Sequence, residues 1–382
     1  EEAINISRQD WDSRETSWDF KQNELIRFNK EGDIDTLEDA YEQYRQYWTN
    51  KFFQLLQNEE ELNRQLIEIY GLQEELTPEV PLNEITILQE ELDAKKLKKK
   101  DSELKRIKLE GRNTDLPFKD KEVFAQFISY AVGCMFGRYS LDKEGLILAN
   151  QEETLEDYLN KVDKSKADVT FLPDDDNIIP VLEGEWFEDD IVNRMKEFLK
   201  VSFGKEHYRE NIRFLGDALG KDLRTYFVKV FYKDHVKRYN KRPIYWKFSS
   251  PEGHFSVLTY MHRYTPDTLS LILNKYLKPY IQKLEARKSH YKNLKTSGTT
   301  DQQREANKEL DKLEKMINDC KHYAQDILYP LATARISIDL DDGVLVNYNK
   351  FGEAVEEVKS LNDKKKKAKV KEFDWIDTSE IR

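Results

Sequence analysis

The most chemically distinctive stretch of the sequence is a run of basic residues between positions 229 and 247. Its basic side chains are Lys229, Lys233, His235, Lys237, Arg238, Lys241, Arg242 and Lys247. The aromatic residues between them are Tyr232, Tyr239, Tyr245 and Trp246. Because lysine and arginine neutralise phosphate charge, this composition predicts a surface that contacts the backbone of double-stranded DNA. A solvated basic helix that balances acidic neighbours explains the same pattern, and the sequence does not separate the two.

Three further residues, His262, Arg263 and Tyr264, follow the basic stretch across an expected hairpin. A hairpin or loop beside a phosphate-binding surface can present such side chains to a groove of the duplex. The candidate DNA-binding residues are therefore Lys229, Lys233, Lys237, Arg238, Lys241, Arg242, Trp246, Lys247, His262, Arg263 and Tyr264.

The sequence lacks the motifs of known catalytic centres. It contains no Asn-Pro-Pro-Tyr loop of the kind that holds a flipped base, no glycine-rich cofactor turn, no phosphate loop and no nucleophile elbow. The acidic loop 339–343 resembles part of a calcium loop, but Lys350 occupies the position of the bidentate glutamate, which favours a turn. His254 and His262 lack a third ligand, which argues against a metal site. The acidic run 174–176 could suggest a metal-dependent nuclease centre, but such runs occur by chance in a chain with this many charged residues. We therefore expect no catalytic residue, metal or cofactor within this chain.

The charge balance limits how a basic surface can work. The 382 residues include 62 lysines and arginines against 73 aspartates and glutamates, a formal net charge of −11. Since DNA affinity depends largely on phosphate neutralisation, this balance excludes a chain that coats nucleic acid indiscriminately, and any contact must be local.

No run of eighteen apolar residues occurs and residues 1–10 lack signal-peptide features, which predicts a cytoplasmic protein without membrane contact. Cys134 and Cys320 indicate neither a zinc site nor a disulfide framework.

Apolar residues recur at helical spacing over most of the chain, which predicts a predominantly α fold with small β elements. Strong amphipathic helices are expected from Leu37 to Gly71, and the apolar run 124–139 is expected in the core. Two β-prone runs, 243–248 and 255–260, predict a β-hairpin near 243–264. A long antiparallel helical hairpin is expected near 267–328, and a short strand at 344–348.

These elements divide the sequence into five segments. They are an N-terminal helical segment (1–80), a charged linker or helix (82–120), an α+β core with the basic segment and hairpin (121–265), the helical hairpin (266–330) and a C-terminal segment with a mobile basic tail (331–382).

Several stretches, in order along almost the whole chain, resemble one protein family. They read NEEELNR (58–64), IYGLQEELTPEV (69–80), ISYAVGCMFGRY (128–139), WFEDDI (186–191), FYKDHVK (231–237), KRPIYW (241–246), YMHRYTPDT (260–268) and DLDDGV (339–344). They are similar to the C-terminal part of the PglX family, the adenine-specific DNA methyltransferases of BREX phage-defence systems. The stretches 82–120 and 145–175 match least.

The resemblance implies that the catalytic methylase domain lies upstream of the matching region. The S-adenosylmethionine pocket and the Asn-Pro-Pro-Tyr loop are then expected in that domain, and this chain is a fragment that is inactive alone. Its expected partners are DNA, the upstream methylase domain and other proteins of the defence system. Target recognition is expected in the C-terminal region, but base-reading residues cannot be carried over because the family's targets vary.

Two hypotheses of different classes follow. In the first, the chain is a non-catalytic target-recognition region whose basic segment and hairpin hold duplex DNA while the missing domain flips adenine. In the second, the helical hairpin and the N-terminal helix act as spacers or docking faces for partner subunits. A DNA reader gathers its lysines and arginines on one face with aromatic neighbours, whereas a spacer distributes them evenly. A free-standing nuclease would need metal ligands that the sequence does not display.

Overall fold

The computed structural model describes residues 1–32, 34–112, 114–372 and 381. The chain forms two compact units, each assembled from several stretches. Unit 1 contains Glu1–Gly133, Tyr139–Leu146 and Lys196–Leu223, and unit 2 contains Cys134–Arg138, Ile147–Met195 and Arg224–Arg382. Helices predominate and one small sheet lies in unit 2, which confirms the predicted fold class. Within the described residues, no helix combines the length and apolar character needed to span a membrane.

The described helices are joined by connections of very different lengths. They are α1 (Glu2–Asp12), α2 (Glu24–Gly32), α3 (Leu37–Tyr70), α4 (Ala94–Leu109), α5 (Asp120–Met135), α6 (Leu155–Val162), α7 (Ile191–Phe203), α8 (Tyr208–Leu219), α9 (Leu223–Tyr226), α10 (Tyr232–Arg238), α11 (Thr268–Leu271), α12 (Lys278–Ser297), α13 (Thr300–His322), α14 (Tyr329–Ala334), α15 (Gly343–Asn349) and α16 (Lys364–Val370). Wider π turns join α9 to α10, α11 to α12 and α13 to α14; they are Phe227–Phe231, Ile272–Leu277 and Tyr323–Leu328.

Helix α3 is the longest element of unit 1, and its two halves differ in how far their apolar residues are buried. The hydroxyl of Thr36 accepts the N–H of Asp39 at its start, and Gly71, with φ of +67°, ends it in the left-handed region. The apolar residues of its first half are buried, among them Trp48 and Phe52. The predicted helix is confirmed to its last turn, but the apolar residues of the second half are exposed. They are Leu62, Leu66, Ile69 and Tyr70.

The apolar run 124–139 is core, as predicted. Phe124, Phe127 and Ile128 on α5 have no exposed surface. Gly137 has φ of +77°, and a Cβ there would lie 3.0 Å from the side chain of Leu148, so both the backbone conformation and the packing require glycine.

The sheet of unit 2 has three antiparallel strands in the order β1-β3-β2, and it contains the predicted hairpin. The strands are β1 (Ile179–Pro180), β2 (Tyr245–Ser249) and β3 (Ser256–Tyr260). Strands β2 and β3 pair from Tyr245 with Tyr260 to Ser249 with Ser256. Every residue of β2 and β3 is buried, so the hairpin is a central element of this unit and not an exposed arm.

The antiparallel helical hairpin is also confirmed. Helices α12 and α13 meet at a tip where Thr299 and Gln302 form a capping box. Leu284 from α12 and Leu313 from α13 are buried, and the solvent sides of both helices are charged.

The prediction of a strand at 344–348 is wrong, because this segment forms helix α15. The Asn347 amide donates hydrogen bonds to the carbonyls of Asp339 and Gly343, so the acidic loop is fixed as the start of a helix. Consecutive residues Val346, Asn347 and Tyr348 are all buried, a pattern that β-prone composition alone does not reveal. The prediction of a mobile tail concerns positions that lie mostly outside the described residues.

The turn between β2 and β3 is held by one buried carboxylate, Asp319 on α13. The Ser250 hydroxyl donates to it at 2.6 Å, the N–H of Glu252 at 3.1 Å, and the ring Nδ1 of His254 lies 3.1 Å away. Because these polar groups are buried or partly buried, the carboxylate supplies partners that water would otherwise provide.

We expect Asp319→Ala to lower the free energy of unfolding by about 2 to 4 kcal/mol, since it leaves several buried donors unpaired. Urea unfolding followed by circular dichroism measures this loss. The matched control is Asp311→Ala, an exposed position of the same helix, with an expected change below about 0.5 kcal/mol. Equal losses in the two variants would contradict the role given to Asp319.

Candidate nucleic-acid interface

The exposed cations of the predicted basic segment lie along one helical stretch of unit 2. Helix α9, the π turn and α10 run without interruption from Leu223 to Arg238, and the aromatic residues Phe227, Phe231 and Tyr232 are buried. Lys229, Lys233 and Lys237 are exposed and follow at intervals of four residues. Since residues four apart lie on one side of a helix about 5 to 6 Å from each other, these lysines form a row.

The chain after α10 reverses sharply and adds two more cations. Asn240 and Lys241 have φ of +50° and +65°, which is the left-handed region. The N–H of Lys241 donates to the carbonyl of Val236 at 2.7 Å, which closes the reversal. Lys241 and Arg242 are exposed as a result. Holding residues other than glycine in this region costs about 1 kcal/mol or more each.

His235 fixes this reversal to the sheet. Its Nε2 accepts the N–H of Ile244 at 3.2 Å and that of Tyr245 at 3.1 Å. Its ring lies between those of Tyr239 and Tyr245, each 4.8 Å away between centroids. Burial holds the pKa of His235 well below its usual value, and the charge of Arg238 adds to the effect. A neutral ring is required here because Nε2 must act as acceptor.

The cations of this row are largely free of internal partners. Among the described residues, Lys233, Lys237, Lys241 and Arg242 make no ion pair. Lys229 lies 3.7 Å from Glu183, but both side chains are exposed and such a pair contributes little. We call Lys233, Lys237, Lys241 and Arg242 the basic row. Arg238, also predicted as a DNA-binding residue, is half-buried beside it.

Two aromatic candidates, Trp246 and Tyr264, belong to the core of unit 2. Trp246 is fully buried, and its Nε1 donates to the carbonyl of Pro243 at 3.1 Å. The Tyr264 hydroxyl donates to the carbonyl of Ile336 at 2.9 Å. Neither side chain reaches the surface on which the basic row lies.

Two cationic candidates, Lys247 and Arg263, are buried and paired. Lys247 lies 3.2 Å from the carboxylate of Glu356. Arg263 donates to the carbonyls of Asp174 at 2.8 Å and Asp175 at 3.1 Å, and burial lowers its pKa. Lys247 is held by a carboxylate and Arg263 by backbone carbonyls, so the structure does not bring these cations together with the basic row.

His262 is half-buried against Tyr260, with 4.7 Å between the ring centroids. Burial lowers the pKa of His262 to about 4, and the nearby Arg138 guanidinium adds to this shift. Its Nδ1 is buried without a hydrogen-bond partner among the described residues.

Sequence reasoning missed an acidic network around residues 174–176. Burial, followed by the neighbouring Asp176, raises the pKa of Asp174 to about 7. The hydroxyl of Tyr276 lies 3.0 Å from Asp176 and 2.8 Å from Asp189, and Lys275 pairs with Asp176. The described residues contain no group of three or more His, Cys, Asp or Glu side chains arranged to hold a metal ion. The signal in the sequence was the acidic run itself, which composition did not distinguish from chance.

The fold and this surface define the protein broadly, as a mainly helical chain with a small antiparallel sheet and a local row of exposed cations. No protein-family model matches it. The chain is 35% identical over 373 residues to Adenine-specific methyltransferase BrxX of Escherichia coli strain HS, a match that covers 94% of the chain and 29% of the relative. It is 35% identical over 363 residues to Adenine-specific methyltransferase PglX of Lacticaseibacillus casei strain Zhang, with 92% of the chain and 27% of the relative covered.

These similarities support the assignment of the chain to the BrxX/PglX family of adenine-specific methyltransferases. The chain spans less than a third of the length of the curated relatives it matches. Its sequence contains neither a glycine-rich cofactor turn nor an Asn-Pro-Pro-Tyr loop.

The depressed pKa of His262 predicts a pH dependence of stability. An unfolded histidine takes up a proton near pH 6.5, whereas folded His262 does so only near pH 4, so acid favours the unfolded state between these values. Between pH 7 and pH 5 we expect the wild type to lose about 1 to 2 kcal/mol more than His262→Phe, which keeps a ring beside Tyr260. Urea unfolding at both pH values measures the difference.

The control is His290→Phe, an exposed position on α12, which should follow the wild type at both pH values. If His262→Phe does so as well, the environment described for His262 is incorrect.

Proposed function

We propose that this chain is a non-catalytic, DNA-contacting part of a longer adenine-specific DNA methyltransferase of the PglX type, and that it takes part in target recognition. The observation that carries the proposal is the basic row of unit 2, whose cations are exposed, free of internal ion pairs and gathered on one helix and the loop that follows it. In a chain with a net charge of −11, such a local excess of free cations suits contact with a polyanion.

The chemistry of the row fits the phosphate backbone better than base edges. Lysine ammonium groups act as point charges toward phosphates, and contacts of this kind position a protein on the duplex without reading sequence. The aromatic and arginine candidates that could read a groove are occupied inside the fold, namely Trp246, Arg263 and Tyr264. The basic row would therefore place the duplex, while base discrimination comes from other residues.

The remaining functions belong to the longer protein. In this proposal the S-adenosylmethionine site and the base-flipping loop lie in a methylase domain outside this chain. That domain and other components of a phage-defence system are its protein partners, and the protein acts in the cytoplasm.

A second candidate function, a docking module for a partner subunit, rests on a separate observation in unit 1. On the second half of α3, Leu62 is 55% exposed, Ile69 74% and Tyr70 72%. An apolar stripe on one helix suits insertion into the groove of a partner. Such apolar docking depends little on salt, whereas phosphate contact depends on it steeply.

Binding of the 382-residue chain to a fluorescent DNA duplex at increasing salt tests the proposal. Removal of the basic row by Lys233→Gln, Lys237→Gln, Lys241→Gln and Arg242→Gln should reduce the slope of log affinity against log salt by about 3 to 4. The matched control removes four exposed cations at the hairpin tip, Lys292, Lys295, Arg304 and Lys308, by the same change to Gln. Absence of binding at low salt, or an equal loss of slope in the control, would reject the proposal in favour of the docking function.

Because Lys241 has a left-handed backbone conformation, the effect of its charge on DNA binding can be separated from the effect of its backbone strain on stability. We expect Lys241→Gly to raise the free energy of unfolding by about 1 kcal/mol, because glycine adopts this conformation without a steric cost. The same variant should weaken DNA binding as much as Lys241→Ala, which also removes the charge. Thermal unfolding and duplex titration of both variants measure the two effects. If Lys241→Gly binds DNA like the wild type, Lys241 does not contact phosphate.

A further inference from the structure

Helix α4 of unit 1 has the largest formal positive charge of the helices among the described residues. Its sixteen residues, AKKLKKKDSELKRIKL, contain eight cations and two carboxylates. The sequence predicts only a charged linker or helix for this stretch. The structure shows a regular helix whose start is capped by Asp93, which accepts the N–H groups of Lys95 and Lys96.

The buried and the exposed side chains of α4 lie on different sides of the helix. Leu97 and Leu104 are buried and attach the helix to unit 1. At 100° per residue, Lys95, Lys99 and Arg106 lie within about 30° of the direction opposite these leucines, and Lys98 lies about 70° to one side of it. All four are exposed, and they extend over about 16 Å at the helical rise of 1.5 Å per residue. We call them the α4 basic face.

Two other cations of α4, Lys105 and Lys108, serve the fold. Lys105 lies 3.4 Å from Glu60 and donates to the carbonyl of Val80 at 2.7 Å. Lys108 donates to Asn50 at 3.1 Å. These contacts account for the attachment of α4 to its own unit without any contribution from the α4 basic face.

The α4 basic face has few partners within the protein. Among the described residues, Lys95, Lys98 and Lys99 make no ion pair. Arg106 lies 3.9 Å from Glu110, and both side chains are exposed, so this contact contributes little.

The placement of these lysines opposes the local stability of the helix. The first turn of α4 contains no acidic residue, so cations lie at the end where the helix dipole is positive. Lys95 and Lys99 are four residues apart, as are Lys96 and Lys100, and like charges at this spacing repel each other. A helix that needed only to be solvated would not require this arrangement, whereas a bound polyanion relieves both conflicts.

We propose that the α4 basic face binds the phosphate backbone of duplex DNA and forms a second DNA-contacting surface, on unit 1, besides the basic row of unit 2. The assignment of the ligand as DNA rests on the proposed function. The conclusion that the ligand is a polyanion does not rest on the proposed function, because it follows from the charge and spacing of the face alone.

The buried leucines decide between a duplex and a membrane. A helix that lies on a membrane inserts an apolar side between the lipid headgroups. In α4 that side, with Leu97 and Leu104, is already used within unit 1, and the side left for a ligand is polar and cationic. Only electrostatic contact is available to this face, as phosphate binding requires.

Duplex titration over a range of salt concentrations tests this inference on the complete 382-residue chain. The α4 variant carries Lys95→Gln, Lys98→Gln, Lys99→Gln and Arg106→Gln. It is compared with the basic-row variant, the hairpin-tip control and the wild type, each with its folding checked by circular dichroism. We expect the α4 variant to reduce the salt slope by about 3 to 4 and the hairpin-tip control to change it by less than about 1.

The outcomes separate this inference from the proposed function. If the basic-row variant loses slope and the α4 variant matches the hairpin-tip control, the inference is overturned and the proposed function stands. If only the α4 variant loses slope, the inference stands and the basic row is not the DNA contact. Vesicles containing 30% phosphatidylserine serve as a second probe. Binding to them that is lost in the α4 variant, with duplex binding unchanged, would overturn the inference in favour of a membrane surface.

Discussion

The neutral imidazole of His235 organises the candidate interface of unit 2. By accepting two consecutive backbone N–H groups at the start of β2, it joins the end of α10 to the sheet. The chain between them must then reverse within a few residues, which accounts for the left-handed Asn240 and Lys241. Because the ring is buried among aromatic residues, it resists protonation, and the acceptor role is kept at neutral pH. Lys241 and Arg242 lie exposed on the reversal between these two elements.

Among the described residues, the cations that have internal partners and those that have none lie in different places. Many cations are used internally: Arg263 supports backbone carbonyls, Lys247 pairs with Glu356, and Lys105 joins α4 to its neighbours. Exposed cations without an internal ion pair occur in local groups, among them the basic row and the three lysines of the α4 basic face, although the chain as a whole is acidic. A protein of this kind can contact phosphates at defined places while its net charge opposes unspecific coating of nucleic acid.

The similarity to BrxX and PglX covers nearly the whole chain but less than a third of each relative, and this explains the combination of features found here. A chain of 382 residues with extensive cores carries no motif of methyl transfer, yet it keeps free cations on two of its helices. The proposed function divides the longer protein in this way, with chemistry in one part and positioning of the duplex in another, because phosphate contacts need charge and a rigid support rather than a reactive centre.

The sequence by itself determined those helices and strands that are marked by a pattern of neighbouring residues. Helical spacing of apolar residues predicted α3 and the α12–α13 hairpin, and turn residues between β-prone runs predicted β2 and β3. Only the tertiary structure decided which polar residues are free. Arg263 is held by the carbonyls of Asp174 and Asp175, some ninety residues earlier, and Lys247 pairs with Glu356, 109 residues later. Long-range contacts of this kind determine burial, and residue type and spacing carry no record of them, so exposed and buried cations looked alike.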